Sequence, residues 1–590
     1  MNQSQIRNFA VIAHIDHGKT TLTDRLIEIV TPNHRKSQTR LLDSHPIEQE
    51  RGITIKLAPI TLSYTHQSSP YYLNLIDTPG HIDFNYEVER SLAACEGALL
   101  LVDATQGVQA QTLGNLHLAR QQNLTIIPVI NKIDLPQAQP EAVIKSLKQL
   151  VPESIQPILL SAKTGQGVSQ LPATIINSIP SPNGNTNAPL RALVFNSIFH
   201  PHLGVVAFIK VVDGSLSSSR LFLTQTNQSF TPQEIGIFTP NMTATSTLET
   251  GQVGYVATGL KNIHSVKVGD TLTNDGHVPT PLPGYRTIKP NLFLDIYPTD
   301  SSQYKALVTA VEKIKLHDSA LTTSPTDSPS MGHGLQVGFL GLLHADIFRE
   351  RLERDFNLSA TLVSPSVQYR VLTTSGESLD ITRASDFPDP TTIKQSLEPM
   401  AQVTIITPPD YLGNLINLLE ELRGVMVNTE YLDTNTVKLS YRLPLIEVIT
   451  KLHDSVKSIS SGYASVDYRL DGYQATDLVR LDVFLNHVII EPLSRIEVKS
   501  KSSNTARRLA TQLKDTVPRH QFEIPIQVQV GGTIIARETV KAFRKDVTAK
   551  LYGGDRTRRL KLLEKQKKGK AKMKSFGQVN LPPEVFRINL

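Results

Sequence analysis

Short apolar runs and helical spacings alternate along the first 184 residues. The apolar runs predict strands at 8–13, 54–63, 71–77, 98–102, 125–130 and 156–160. Between most of them, spacing near 3.6 predicts helices at 20–30, 83–95, 109–121 and 139–150. That alternation predicts a mainly parallel sheet with helices on both faces. It places ligand chemistry on loops at the C-terminal ends of the strands. A Pro/Asn/Ser stretch at 180–189 reads as a linker.

The pattern then changes. Over 190–282 short strands and turns predict an antiparallel β-barrel. Residues 290–370 mix strands with amphipathic helices near 303–316 and 341–356, which predicts a small α+β unit; His344 reads as a packed residue at the second helix start. Residues 399–482 read strand 400–407, helix 410–423, strands within 426–441, helix 447–459 and strand 463–470, the order of a ferredoxin-like unit. The stretch 370–398 reads as a short linker. Residues 483–590 predict strands, a helix near 503–514 and a basic end. The expected fold class is therefore multidomain: α/β with a phosphate loop, β-barrel, two ferredoxin-like α+β units, and a basic C-terminal α+β unit.

Length agrees, since 590 residues suggest about four domains at ~150 each. Composition is that of a soluble globular chain. Cys95 is the only cysteine, so no internal disulfide can form, which fits a reducing cytoplasm. No apolar run approaches the ~20 residues needed to cross a bilayer, and MNQSQIRN lacks a signal-peptide core. The expectation is a cytoplasmic protein.

Charge is unevenly spread. The net charge is +6, yet residues 541–574 hold 14 Lys/Arg against 3 Asp/Glu. That segment predicts a polyanionic partner, nucleic acid or an anionic membrane surface. The cations Arg556, Arg558, Arg559, Lys561, Lys565, Lys567, Lys568 and Lys570 lie close together without interleaved aromatics. Contact with RNA backbone rather than with bases is the expectation.

Four strand ends in the first domain carry chemistry. Phe9–Ala13 runs into His14-Ile15-Asp16-His17, and Gly18-Lys19-Thr20 then opens a helix. Unpaired N–H groups of Asp16, His17, Gly18, Lys19, Thr20 and Thr21 can cradle a polyphosphate at the positive helix end. Lys19 can bridge terminal phosphates and Thr20 can bind magnesium. Asp77-Thr78-Pro79-Gly80-His81 follows the third strand. Asp77 is placed to hold Mg2+ through water, Gly80 to donate its N–H to the terminal phosphate, and His81 to position attacking water. Asn131-Lys132-Ile133-Asp134 follows the fifth strand. The Asp134 carboxylate can accept the two donors that guanine offers and adenine does not. Asn131 can reach the other base edge and the Lys132 stem can cover the ring. Ser161-Ala162-Lys163 can donate backbone N–H to the guanine carbonyl. Thr54, in the polar stretch 48–54, can order on magnesium and the terminal phosphate, which makes that stretch a switch between GTP and GDP states.

Glu50-Arg51-Gly52-Ile53-Thr54-Ile55 together with Asp77-Thr78-Pro79-Gly80-His81-Ile82-Asp83-Phe84 resembles the translational GTPase family. The resemblance implies that Lys19 and Thr20 hold phosphate and metal, with Thr54 and Asp77 completing the metal site. It implies that His81 orients the hydrolytic water behind an apolar gate of Ile15 and Ile53. No cis arginine finger is evident, so slow hydrolysis accelerated by a partner is expected. The tail motifs, Gly531–Ala542, Tyr552-Gly553-Gly554-Asp555 and Lys561–Lys567, resemble one branch of that family over essentially the whole chain. Two stretches depart from its pattern, His45-Pro46-Ile47-Glu48-Gln49 and Leu581-Pro582-Pro583-Glu584-Val585-Phe586. The branch implies a monomer acting at the ribosomal factor site and on tRNA. It implies back-translocation or remodelling of stalled ribosomes, fidelity under stress, and peripheral contact with the inner membrane face. A factor G-like translocase or ribosomal protection GTPase would need an extra domain where 370–398 is short. A non-catalytic RNA- or membrane-binding scaffold would not need Lys19, Thr54, Asp77 and His81 together.

Overall fold

The computed structural model describes residues 2–31, 42, 46–152, 155–262, 265–274, 280–283, 289–316, 318, 320–433, 436–543, 556–576 and 585. The first unit runs β1 (Ile6–Ala13), α1 (Lys19–Val30), α2 (Pro46–Arg51), β2 (Ala58–His66), β3 (Ser69–Asp77), α3 (Asn85–Ala93), β4 (Gly97–Asp103), α4 (Ala110–Gln121), β5 (Thr125–Asn131), α5 (Pro140–Leu150), β6 (Ile158–Leu159) and α6 (Leu171–Ser178). The sheet order is β2-β3-β1-β4-β5-β6. All pairs are parallel except β2 with β3. β1 and β4 are buried over nearly every residue, as expected for strands covered on both faces.

The second strand starts at Ala58 instead of 54. Residues 54–57 are held as a loop because the buried Glu48 carboxylate accepts the N–H groups of Ile55 (2.9 Å) and Lys56 (3.1 Å). Of the stretch that departs from the family pattern, 46–49 thus forms α2 and supplies this brace; His45 lies outside the described residues.

An antiparallel eight-stranded sheet between 191 and 274 follows, wrapped around Val194, Val205, Ile209, Leu248 and Val256. Two βαββαβ units come next. Strands Leu292–Pro298, Thr322–Ser328, Gly332–Phe339 and Ala360–Ser366 carry helices Tyr304–Lys315 and Leu342–Phe356. Strands Ile393–Thr407, Val425–Asp433, Thr436–Pro444 and Ser465–Ala475 carry helix Leu412–Glu421 and the helical stretch 445–459. In both units the second, third, first and fourth strands lie side by side in that order. The stretch 370–398 is not a bare linker. Strands Tyr369–Thr373 and Ser378–Ile381 form a hairpin hydrogen-bonded to Ile393–Thr407, which extends that sheet. One core runs through both units, from Leu292 and Val337 to Ala401 and Leu439.

The last unit is a five-stranded sheet under helix Lys499–Thr516. Val585 is fully buried in its core beside residues such as Leu509 and Ile526. Helix Arg556–Phe576 carries the basic segment. Its Arg556, Arg558, Arg559, Lys561, Lys565, Lys567 and Lys568 are exposed. The Lys570 side chain, residues 552–555 and residues 581–584 and 586 lie outside the described residues. No helix among the described residues is long and apolar enough to cross a membrane.

Candidate active site

The phosphate loop leaves β1 with Asp16 at φ 63° and Gly18 at φ 91°. A Cβ at Gly18 would lie 2.5 Å from Asn131 Nδ2, so only glycine fits there. Both ends of the Asn131 amide serve as a brace. Nδ2 donates to His17 O (2.9 Å) and Oδ1 accepts from Ala162 N–H (2.9 Å). Asn131 therefore ties the phosphate loop to the 161–163 loop. The Ala162 N–H is likewise spent on Asn131. Arg25 braces the same loop from α1 through the carbonyls of Ala162 (3.2 Å) and Lys163 (2.9 Å). Lys132, at φ 62°, sends its ammonium to Asp16 O (2.6 Å) and Asp103 (2.7 Å), so its stem spans from the end of β5 to the phosphate loop. Asp134 and Lys163 are exposed, and Ser161 is buried.

At the other end of the loop lies a buried polar knot. Lys19 Nζ donates to Asp77 Oδ1 (2.8 Å) and Thr54 Oγ1 (3.1 Å). Thr54 and Thr23 hydroxyls each lie 3.4 Å from the same carboxylate. All four side chains are buried, and Thr20 is half-buried at the helix start. Thr23 is not singled out by the sequence motifs, although it sits one turn after Lys19 and Thr20 on the same helix. A carboxylate and hydroxyls are the hard oxygen donors that Mg2+ accepts. Ile15 lies against Gly80, where a Cβ would sit 3.9 Å from Ala13 O and 4.0 Å from Ile15. Ile53 is half-buried one residue before Thr54.

Three histidines approach this loop, and burial keeps them neutral. His14 is pushed down to about 4 by burial, with Gln111 and Asp16 opposing. His17 is pushed down to about 3 by burial and by His14. Burial also lowers His81, with Asp83 opposing and His453 reinforcing. His81 Nδ1 accepts the Asp83 N–H (3.2 Å), which assigns the ring proton to Nε2. The His81 ring lies 6.2 Å from that of His453, in a cavity of about 240 Å³ lined also by Leu342, Lys451 and Tyr468. In this arrangement His81 faces the second βαββαβ unit. Its neighbour Asp83 accepts the N–H of Leu343 (3.1 Å), so the segment after β3 is seated on helix Leu342–Phe356.

The region around α2 is seated on the same helix by pairs Arg51–Glu350 (2.7 Å) and Arg354–Glu50 (2.7 Å). His344, expected as a packed residue, is buried with Nε2 2.8 Å from Asp318, whose carboxyl is held down to about 2 despite burial, chiefly by His344.

The loop set at the edge of the parallel sheet, and the order of the units behind it, define a translational GTPase, an enzyme that hydrolyses GTP. Residues 4–181 match the elongation factor Tu GTP binding domain, residues 395–484 the elongation factor G C-terminus, and residues 485–590 the C-terminus of the GTP-binding protein LepA. Elongation factor 4 of Acetivibrio thermocellus is 48% identical over 590 residues, spanning 99% of this chain and 98% of that protein. Elongation factor 4 of Clostridium acetobutylicum is 46% identical over the same shares. A solved structure from Thermus thermophilus superposes with a TM-score of 0.57 at 17% identity, covering 80% of this chain and 97% of that one, a likeness of fold. The chain belongs to the elongation factor 4 family.

Proposed function

We propose that the protein hydrolyses GTP slowly alone and rapidly on the ribosome, using the cycle to remodel ribosome–tRNA complexes. Back-translocation and accuracy under stress are the tasks assigned to that remodelling. The reading is carried by the buried Lys19–Thr54–Asp77 knot beside a neutral histidine on the loop after β3. Phosphate binding draws Lys19 off Asp77 to the terminal phosphates. Thr20, Thr54 and Asp77 would hold Mg2+, which neutralises phosphate charge when bound. Asp16 to Thr21 and Gly80 offer backbone N–H groups to the phosphates. Asp134 selects guanine, with the Lys132 stem along the ring and Lys163 beside it.

His81 holds the attacking water, and Ile15 and Ile53 screen it. The water oxygen bonds to the terminal phosphorus, its proton passes to an oxygen of the same phosphoryl group, the bridging bond to the second phosphate breaks, and GDP and phosphate leave. His81 must turn from His453 toward the nucleotide for this, and ribosome docking supplies that turn.

The cationic face of helix Arg556–Phe576 binds RNA backbone of the ribosome or tRNA. The protein acts as a cytoplasmic monomer. Anionic vesicles competing equally with RNA for the full chain would assign the tail to the membrane face instead. GTP turnover by wild type and His81→Ala, with and without ribosomes at two salt concentrations, tests the proposal. The expected result is strong stimulation of wild type alone. Equal turnover with and without ribosomes would overturn it.

A further inference from the structure

Helix α4 touches two things at once. One stripe, Ala110 and Gly114, meets the strand Ser465–Ala475 of the second βαββαβ unit. Ala110 N–H donates to Ser465 Oγ (2.8 Å), in a buried bond at the helix start. A Cβ at Gly114 would lie 2.5 Å from Asp467 Oδ2 and 3.2 Å from its Cγ. The helix backbone therefore rests directly on that carboxylate. Its Oδ1 is buried without a hydrogen-bond partner. Ile406 of the same unit packs into the cluster that holds Val108, Ala110 and Leu116.

The adjacent stripe, Gln111 and Asn115, meets the phosphate loop. Positions four apart on a helix stack on one face, and the next position is turned by about 100°. Gln111 Oε1 accepts the Ile15 N–H (3.3 Å). Asn115 Nδ2 donates to Ala13 O (3.3 Å). Gln111 and Asn115 are both buried. The loop entrance, residues 13–15, is thus fixed by α4, and α4 is fixed by strand Ser465–Ala475.

We propose that Gln111 is a positioning residue for the phosphate loop, and that the seam between α4 and Ser465–Asp467 sets nucleotide affinity by fixing where Gln111 sits. This rests on the GTPase reading of the loop. A partner that shifts the second βαββαβ unit moves α4, and with it the backbone N–H groups that meet phosphate. Because those bonds act on bound substrate and transition state alike, loosening them raises KM and leaves kcat.

The test uses the full chain with a fluorescent GDP analogue and with GTP turnover on saturating ribosomes. Gln111→Ala is expected to speed GDP release at least fivefold and raise the KM for GTP similarly, with kcat within twofold of wild type. Gly114→Ala drives a methyl into Asp467 and is expected to do the same. Adding Asp467→Ala removes the clash and is expected to restore release to within twofold of wild type. Ser465→Ala, a milder change, is expected to speed release two- to threefold and serves if the Gly114 variant does not fold. Gly114→Ala added to Gln111→Ala is expected to give little further effect. Release within twofold of wild type for both Gln111→Ala and Ser465→Ala would overturn the proposal, as would a fall in kcat at unchanged KM. Nucleotide binding by wild type separately tests the GTPase reading, since the seam is judged from variant-to-wild-type ratios.

Discussion

Lys19 Nζ lies 2.8 Å from Asp77 Oδ1, and both side chains are buried. The two charges hold each other there, so removing either leaves the other buried alone, at a cost of about 3–5 kcal/mol. Lys19→Ala is expected to lower the melting temperature of the nucleotide-free protein by several degrees. GTP should no longer raise it. A melting curve with and without GTP checks both, and an unchanged GTP-free curve would contradict the pairing.

His81 is neutral at pH 7 because burial lowers its pKa. The His81 ring of the ribosome-free chain is therefore expected to titrate below the ordinary histidine range near 6.5, read by histidine NMR. His81→Ala is expected to cost about 10²-fold or more in stimulated turnover while GDP affinity stays within about twofold. A ring titration with its midpoint between pH 7 and 8 would contradict a neutral His81.

Gly18 cannot take a side chain without displacing Asn131. Gly18→Ala combines a strained φ of 91° with a methyl 2.5 Å from Asn131 Nδ2. The expected outcome is a loss of about 1–3 kcal/mol in stability and at least tenfold in GDP affinity. Asn131→Ala should reproduce the affinity loss by freeing His17 O and Ala162 N–H. Titration with GDP measures both.

Asp467 is pushed up to about 6, mainly by burial. A carboxyl with a raised pKa in the fold binds its proton more tightly folded than unfolded, so it lowers stability as pH rises from about 4 through 6. Asp467→Asn is expected to stabilise the chain by about 1–3 kcal/mol at pH 7 and by nearly nothing near pH 3.5. Melting temperatures at the two pH values check this. Equal gains at both would show that packing, not ionisation, is responsible.

The basic helix should read phosphate density. Contact with ~6 phosphates predicts a roughly 10³-fold loss of RNA affinity between 50 and 200 mM salt. Replacing Arg558, Arg559 and Lys561 with alanine should flatten that dependence by about three charges' worth. A salt titration of an RNA shift assay gives the slope.

The strand ends of the first unit are readable in the sequence because each motif is a contiguous string. Each loop's share of the phosphate, metal or base contact lies within a few consecutive residues. The roles of Asn131, Gln111 and His453 are not readable there. Each is defined by what comes to it from another loop or another unit, and no local spacing records that. Asn131 sits inside a familiar string, yet its partners are His17 and Ala162. The start of β2 shifts to Ala58 for the same reason, since the competing claim on 54–57 comes from Glu48. The hairpin at 369–381 is hidden because its strands are short and pair with a strand that starts seven residues earlier than apolar alternation suggests.

That hairpin has a mechanical consequence. It turns the connection between the two βαββαβ units into part of a sheet, and one core runs unbroken beneath them. The pair is then a stiff beam without a joint of its own. One end of the beam bears on α2 through Glu350 and Arg354, and its flank bears on α4 through Ser465. A push at the far side reaches both supports together, so the α2 stretch and the phosphate loop receive one signal instead of two.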